Sequence, residues 1–319
     1  MGKIVDQAEY DAHVNRENKA IIDDFLIEKR AEGCSTGTLT QYRSDLKIIA
    51  YIIYKDFDNK PFTEMNRKDI RNLSIHFQER ELSSARINRL LSAFRSSLEF
   101  CTDDDDYDYE YNVGSRIKGL SKSPVREITF LTEEQIEWLL GKLEDKGDYL
   151  KAVYLSLSYY SATRKNEVNQ VMKEGLTDQF FTNAVAGKGG KSFRLFYGEQ
   201  TQRLIRKYMD ERGDDDIPNL FVRVSTHGIK NACGYTSYSY WCEKFSKMLE
   251  EKEGKKIHVN PHCFRHSRLE NLSKSGMPLE KLKVLANHND VSTTEAYLSD
   301  RTEGFIADIF GMDESYFTS

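Results

Sequence analysis

Asn260-Pro261-His262-Cys263-Phe264-Arg265-His266-Ser267 is the stretch from which the rest of the chain can be read. Asparagine is a good N-cap, and proline suits the first helical position, where no amide donor is needed, so a helix is expected to begin here. His262 and Arg265, three apart, then share one face of that helix. Downstream, Pro278 opens a second helix carrying Leu279, Leu282 and Leu285 and ending at about His288. Ser292 with Glu295 three residues on has capping-box spacing, which brings Tyr297 onto a short third helix. Two histidines, an arginine and a tyrosine are thus gathered within 36 residues of mostly helical chain.

Working back toward the N-terminus, everything after Glu199 reads as helical, with Leu204, Ile205, Tyr208 and Met209 on one stripe. Tyr238, Trp241, Phe245 and Met248 form another, read as core. Before it, two strand-like runs, Gln179–Ala186 and Ser192–Tyr197, are joined by Gly187-Lys188-Gly189-Gly190-Lys191, a glycine-rich hairpin turn. Gly190-Lys191-Ser192 mimics the end of a phosphate-binding P-loop, but the glycine required five residues earlier is Val185. Tyr149–Tyr160 is helical. Thr132 and Gln135 make a capping box ahead of Ile136, Leu139 and Leu140.

From Ile21 to Phe100 the pattern predicts four helices and no strand. The last has the clearest periodicity, Ile87, Leu90, Leu91, Phe94 and Leu98, and carries Arg86, Arg89 and Arg95 with no acid before Glu99. Such a face suits a phosphate backbone or a solvated surface equally. Asp103, Asp104, Asp105, Asp106, Asp108 and Glu110 repel one another and predict a solvated loop. The following residues to Glu127 read as an extended linker. The expected organisation is therefore a helical domain over 1–105, a linker over 106–127 and a second domain over 128–319. The fold class is mainly α, with a small β-hairpin or sheet in the second domain.

At 319 residues and 39% hydrophobic composition, two cores can be filled. No run of eighteen apolar residues occurs, and Met1–Glu9 is polar, so neither a membrane span nor a secretory signal is expected. Five cysteines, none at CxxC spacing, read as small buried side chains of a cytoplasmic protein and not as a disulfide framework or structural zinc. A net charge of −5 argues against a nucleic-acid partner unless a local basic face is hidden in the average.

The ordered set resembles the tyrosine recombinases, the phage integrase family. His262, Arg265, His288 and Tyr297 match that family's His-x-x-Arg, late histidine and tyrosine. Ser161-Ala162-Thr163-Arg164-Lys165-Asn166-Glu167 is similar to its first arginine box, and Gly187-Lys188-Gly189 to its lysine-bearing β-turn. Ser35, Thr38, Leu39, Tyr42 and Leu46 resemble its core-binding domain, which grips DNA from the opposite side. There are two departures: Ala162 stands where the family has glycine, and Ala286-Asn287 stands for Leu-Gly.

The resemblance implies a helical core-binding domain joined to an α+β catalytic domain, and a site-specific DNA recombinase of integrase or transposase type acting through a 3′-phosphotyrosine link. Attack on a phosphodiester builds negative charge, which the paired donors of Arg164 and Arg265 would hold. A phenol with a pKa of about 10 needs help as a nucleophile. His262 is assigned as the general base for Tyr297, His288 as a further hydrogen bond to phosphate, and Lys188 as the proton donor to the departing oxygen, with Lys191 as its competitor. Glu167, one turn after Arg164, would orient its neighbours, while Arg86, Arg89 and Arg95 would touch DNA. No metal or other cofactor is expected.

The tail stripe of Phe305, Ile306, Ile309, Phe310 and Met312 could fold back on its own domain. The family instead docks such a segment into a neighbour within a tetramer on two DNA sites. Double-stranded DNA, three further copies of the chain and, optionally, a directionality factor are therefore the expected partners. Roughly twenty residues before the first clear helix leave no room for an arm-binding domain. The alternatives are a type IB-like topoisomerase and a catalytically silent sequence-specific DNA-binding protein on the same scaffold.

Overall fold

The computed structural model describes residues 4–121, 129–187, 190–286 and 309–311. The chain divides into two compact units, Met1–Glu127 and Ile128–Ser319.

The first unit is built from α1 (Gln7–His13), α2 (Arg16–Ala31), α3 (Thr36–Asp56), α4 (Arg67–Glu79) and α5 (Ser84–Asp103), with a single 3₁₀ turn at Phe62–Glu64. Each start has a local chemical cause. Asp6, Asn15, Ser35, Asn66 and Ser83 all cap with a side-chain oxygen, and Asn66 with Asp69 completes a capping box. The predicted α5 stripe is buried throughout: Ile87, Leu90, Phe94 and Leu98 are fully enclosed, and Leu91 is 3% exposed. At about 1.5–3 kcal/mol for each such side chain, this stripe contributes substantially to that core, as do the apolar residues of α3.

Two expectations need correction here. A helix begins well before Ile21, since α1 and the first turn of α2 occupy that stretch. The seven residues of α1 bury only Tyr10, too little for a periodic signal. The segment after α5 is also not a free linker as far as Ser121. Tyr107, Tyr109, Val113, Ile117 and Leu120 pack on the first core, and the Tyr107 hydroxyl donates to Asp24 at 2.6 Å. Asn88 fastens the strap through Leu120, accepting from its amide and donating to its carbonyl. Alternating aromatic residues in the acidic run supply apolar surface that outweighs the mutual repulsion of carboxylates left in water.

The second unit runs α6 (Glu133–Asp145), α7 (Tyr149–Tyr160), α8 (Lys165–Val168), β1 (Val185–Ala186), β2 (Ser192–Phe193), α9 (Glu199–Arg212), β3 (Val222–Val224), β4 (Lys230–Ala232), α10 (Tyr235–Glu253), α11 (Pro261–Lys274) and α12 (Leu279–Ala286). Helix α7 is its hub, packed by α6, α9 and α11. Because it is covered on several sides, eight consecutive residues from Ala152 to Tyr159 are buried, a pattern without amphipathic period. Tyr154, Phe221, Tyr238, Trp241 and Phe264 form a connected aromatic centre.

Strands are shorter and more numerous than expected. Among the described residues the predicted hairpin pairs Val185 with Phe193 and Ala186 with Ser192, plus a separate bridge between Phe181 and Phe196. The second antiparallel pair, β3–β4, lies in a region read as helical. Three-residue strands carry no measurable alternation, which is why the sequence does not announce them. Among the described residues no helix is long and apolar enough to cross a membrane. Four cysteines are buried as expected, whereas Cys34 is only half buried.

Candidate active site

Arg164 follows α7 by way of a tight turn. Ala162 there adopts φ +47° with its side chain fully buried, so alanine occupies a left-handed conformation that glycine would take without strain. The methyl group is part of a small apolar cluster with Phe180, Phe181, Leu272, Leu282 and Leu285, on which Ile309 and Phe310 also pack. At this departure from the family's glycine, the alanine adopts a positive φ, the conformation that glycine takes most readily.

Arg164 is the N-cap of α8, and Glu167 holds it at two points. The Glu167 carboxylate accepts from the Arg164 amide at 2.7 Å and from Nη1 at 2.8 Å. Glu167 is 2% exposed, whereas the Arg164 side chain keeps 29% of its surface open. One end of the ion pair is thus fixed in protein while the guanidinium faces outward.

Asn260 caps α11 as read from the sequence, accepting from the His262 amide at 3.0 Å. Arg265, one turn later, is 5% exposed and is held by neutral acceptors: Nη1 donates to the Ala162 carbonyl at 2.7 Å and Nη2 to the Ala286 carbonyl. The guanidinium therefore ties the arginine-box turn to the end of α12, residues 103 and 21 positions away along the chain. Burial first, and the Arg164 charge second, push its pKa down to about 10, with Glu167 opposing them. It remains protonated at neutral pH but is short of negative charge. The His262 imidazole is lowered below its ordinary value, first by desolvation and then by His266, Arg164, Arg265 and Lys165. Segments a hundred residues apart thus converge on one electropositive corner.

The base of the β1–β2 hairpin is fixed by a residue the sequence reading missed. Gln170 donates to the Ala186 carbonyl at 3.0 Å and accepts from its amide at 2.8 Å. Its amide mimics a neighbouring strand, a function that sequence spacing cannot disclose. Lys191 is exposed beyond this base. Lys188, His288 and Tyr297 lie outside the described residues, as do Phe305, Ile306 and Met312 of the tail stripe. Among the described residues no cluster of three or more His, Cys, Asp or Glu side chains could hold a metal ion.

The three arginines proposed from α5 have internal partners. Arg86 Nη1 and Arg89 Nε reach Asp45, at 2.7 and 3.0 Å. Arg95 Nη1 donates to the Ile117 carbonyl at 2.9 Å. The missing acid of that helix comes from α3, 41 residues earlier than Arg86. Arg95 is committed to holding the 107–120 strap, while Arg86 and Arg89 retain exposed surface.

The profile of the phage integrase family matches residues 129–303. A tyrosine recombinase XerD of Oceanobacillus iheyensis is 27% identical over 286 residues, covering 86% of this chain and 92% of the relative. A tyrosine recombinase of Thermosipho africanus is 25% identical over 289 residues, covering 87% and 93%. Among solved structures, the Tn1549 transposon integrase in complex with circular intermediate DNA superposes with a TM-score of 0.65 at 15% identity, covering 89% of this chain and 94% of that one. A lambda integrase dimer bound to a core site gives 0.63 at 14% identity, with 85% and 95% covered. These likenesses carry the fold, mostly helical with small antiparallel sheets, as the sequence predicts. The chain belongs to the phage integrase family, and its activity is that of a tyrosine site-specific recombinase.

Proposed function

We propose that Arg164 and Arg265 hold the scissile phosphate of a double-stranded DNA recombination site while Tyr297 attacks it. The carrying observation is that two guanidiniums from distant segments lie close enough to repel each other, while the carboxylate of Glu167 pairs with Arg164 and Arg265 donates to carbonyl oxygens, which leaves a positive charge for a phosphate to neutralise. In the cleavage step the Tyr297 oxygen forms a bond to phosphorus and the bond to the 5′ oxygen breaks. His262 accepts the phenolic proton. Lys188, or its neighbour Lys191, donates one to the departing oxygen, and His288 adds a hydrogen bond to the phosphoryl group. The depressed pKa of His262 favours this role, because a base must be neutral at the working pH. The 3′-phosphotyrosine retains the energy of the broken bond, so a strand rejoins by reversal of the same step. Glu167 keeps Arg164 aimed. The first unit grips the flanking duplex through Arg86 and Arg89, and Arg95 serves that surface indirectly by holding the strap. These units act as the core-binding and catalytic domains of a cytoplasmic enzyme of a mobile element.

Complete exchange needs two sites and four copies of the chain, with the tail from Gly304 to Tyr316 docked on a neighbour and, for some directions of reaction, a directionality factor. The apolar cluster that receives Ile309 and Phe310 of the same chain supports this, since an identical cluster on another copy would receive them equally well. Truncation at Arg301 is expected to abolish full exchange and leave single cleavage measurable; exchange surviving the truncation removes the tail from the reaction.

The central test is incubation with DNA flanking the protein's own gene, quenched with SDS. Protease-sensitive, gel-shifted DNA with wild type and none with Tyr297→Phe is the expected result. An adduct persisting in Tyr297→Phe means that another residue is the nucleophile. Binding without an adduct in either protein favours the silent DNA-binding reading, and relaxation of supercoils without site preference favours the topoisomerase.

A further inference from the structure

Lys165 opens α8 directly after Arg164, and none of the steps above uses it. Its ammonium lies 5.3 Å from the centroid of the Tyr235 ring and 3.2 Å from Ser239 Oγ. Tyr235, the first residue of α10, is 46% exposed, and its hydroxyl donates to Asn166 Oδ1. Several lysines of this unit face carboxylates, Lys151 with Asp148, Lys173 with Asp215 and Lys207 with Glu144, while Lys244 and Lys252 lie over the rings of Tyr240 and Trp138 away from the arginine box. Among the described residues Lys165 has no such pair; its partners are a ring face and a hydroxyl, which orient the cation and leave its charge intact. That charge also contributes to lowering the His262 pKa, which places it on the face of the active site.

An ammonium on a flexible stem loses rotamer freedom when it is fixed, and a cation–π contact at an exposed position offsets part of that loss. Lys165 is therefore partly ordered before any ligand arrives. Each strand of a duplex carries one phosphate per about 3.4 Å of helix axis, so a strand that delivers its scissile phosphate to Arg164 brings the next one within reach of the extended side chain of the adjacent residue.

We propose that Lys165, steadied by Tyr235 and Ser239, binds a phosphate of the cleaved strand beside the scissile one. The proposal rests on the reading of Arg164 and Arg265 as the scissile-phosphate site. The contact is sequence-independent and sets how deeply the strand seats in the active site.

The experiment measures DNA affinity of the full chain against salt, from about 50 to 200 mM, in a Tyr297→Phe background so that no cleavage intervenes. The probe is the duplex recovered from the covalent adduct. Lys165→Met is expected to lower affinity several-fold and to make the slope of log K against log salt shallower by about 0.9, the signature of one lost phosphate contact. Lys165→Arg should restore the slope. A structural role would move the thermal midpoint and leave the slope alone; if Lys165→Met folds poorly, Lys165→Gln is read instead. A wild-type slope in these neutral variants, or failure of arginine to restore it, overturns the inference. If no duplex ever forms an adduct with the wild type, the active-site reading falls, and this inference falls with it.

Discussion

Asp45 and Glu167 are both buried carboxylates that receive arginines, yet the surfaces they organise differ. Asp45 accepts from Arg86, Arg89 and Gln41, with both arginines drawn to the one carboxylate. At the other site Glu167 is committed to Arg164, and the second arginine, Arg265, donates among the described residues to carbonyl oxygens. Arg265 is also nearly enclosed, whereas Arg86 and Arg89 keep 25% and 48% of their side chains in solvent. In water a charge near such a pair is screened; in an enclosed site it is not. On the proposed roles, the comparison teaches that binding duplex and holding a reacting phosphate call for different arrangements. A solvated arginine pair would add affinity, while a desolvated and under-neutralised guanidinium would be poised for charge that develops in the reaction.

The largest effect expected from this contrast is on cleavage itself. Arg265→Lys should lower the single-turnover rate of adduct formation by about 10²–10³, because lysine cannot supply the paired fork of donors. Arg86→Lys, assayed at saturating DNA, should change that rate less than about threefold. Equal losses in the two variants would break the contrast.

Removing each carboxylate comes next. Glu167→Gln and Asp45→Asn should each cost about 1–3 kcal/mol in denaturant unfolding, since each leaves charge-assisted hydrogen bonds unmade. Only Glu167→Gln should also slow cleavage at saturating DNA, by roughly tenfold, as Arg164 loses its aim. A comparable slowing by Asp45→Asn would mean that the first unit takes part in the chemistry.

The pH dependence sharpens the contrast further. His262 has a folded pKa below the ordinary 6.5, so the unfolded chain binds the proton more readily than the folded one does. Its contribution to stability is complete above about pH 6.5 and is lost as pH falls through the folded value. The rate should follow the same direction: the acid limb of single-turnover cleavage lies below pH 6.5, and Lys165→Met moves it upward by removing a repelling charge. An acid limb above 6.5 would exclude neutral His262 as the base.

The smallest effect is expected at Ala162. Glycine there relieves left-handed strain of about 1 kcal/mol but exposes a cavity where a buried methyl was worth about 0.8 kcal/mol. Ala162→Gly should therefore unfold within about 0.5 kcal/mol of wild type. Ala162→Val should lose about 2 kcal/mol, since a β-branched side chain strongly resists positive φ. A clear gain from glycine would show that the cluster around Phe180 and Leu282 closes over the gap.

How much of this was legible can be followed residue by residue. Caps are local chemistry, so Asn260 and Thr132 mark helix starts as plainly in the sequence as in the fold. The α5 stripe is equally plain, because one buried face imposes one period. The order and spacing of Arg164, His262 and Arg265 sufficed to suggest the chemistry. The strap over residues 107–120 was misread because acidic residues dominate the text while the tyrosines between them do the packing. Strands β3 and β4 were missed because three residues cannot display an alternation.

The sequence by itself pointed to the side chains proposed to hold and attack a phosphate, and to where α6 and α11 begin, since both depend on residue type and short spacing. Tertiary structure alone decided which of those charges are neutralised. Asp45 reaches Arg86 across 41 residues, and the Ala162 carbonyl reaches Arg265 across 103. Whether a guanidinium meets a carboxylate, a carbonyl or solvent depends on long-range packing, and that packing sets its electrostatic state.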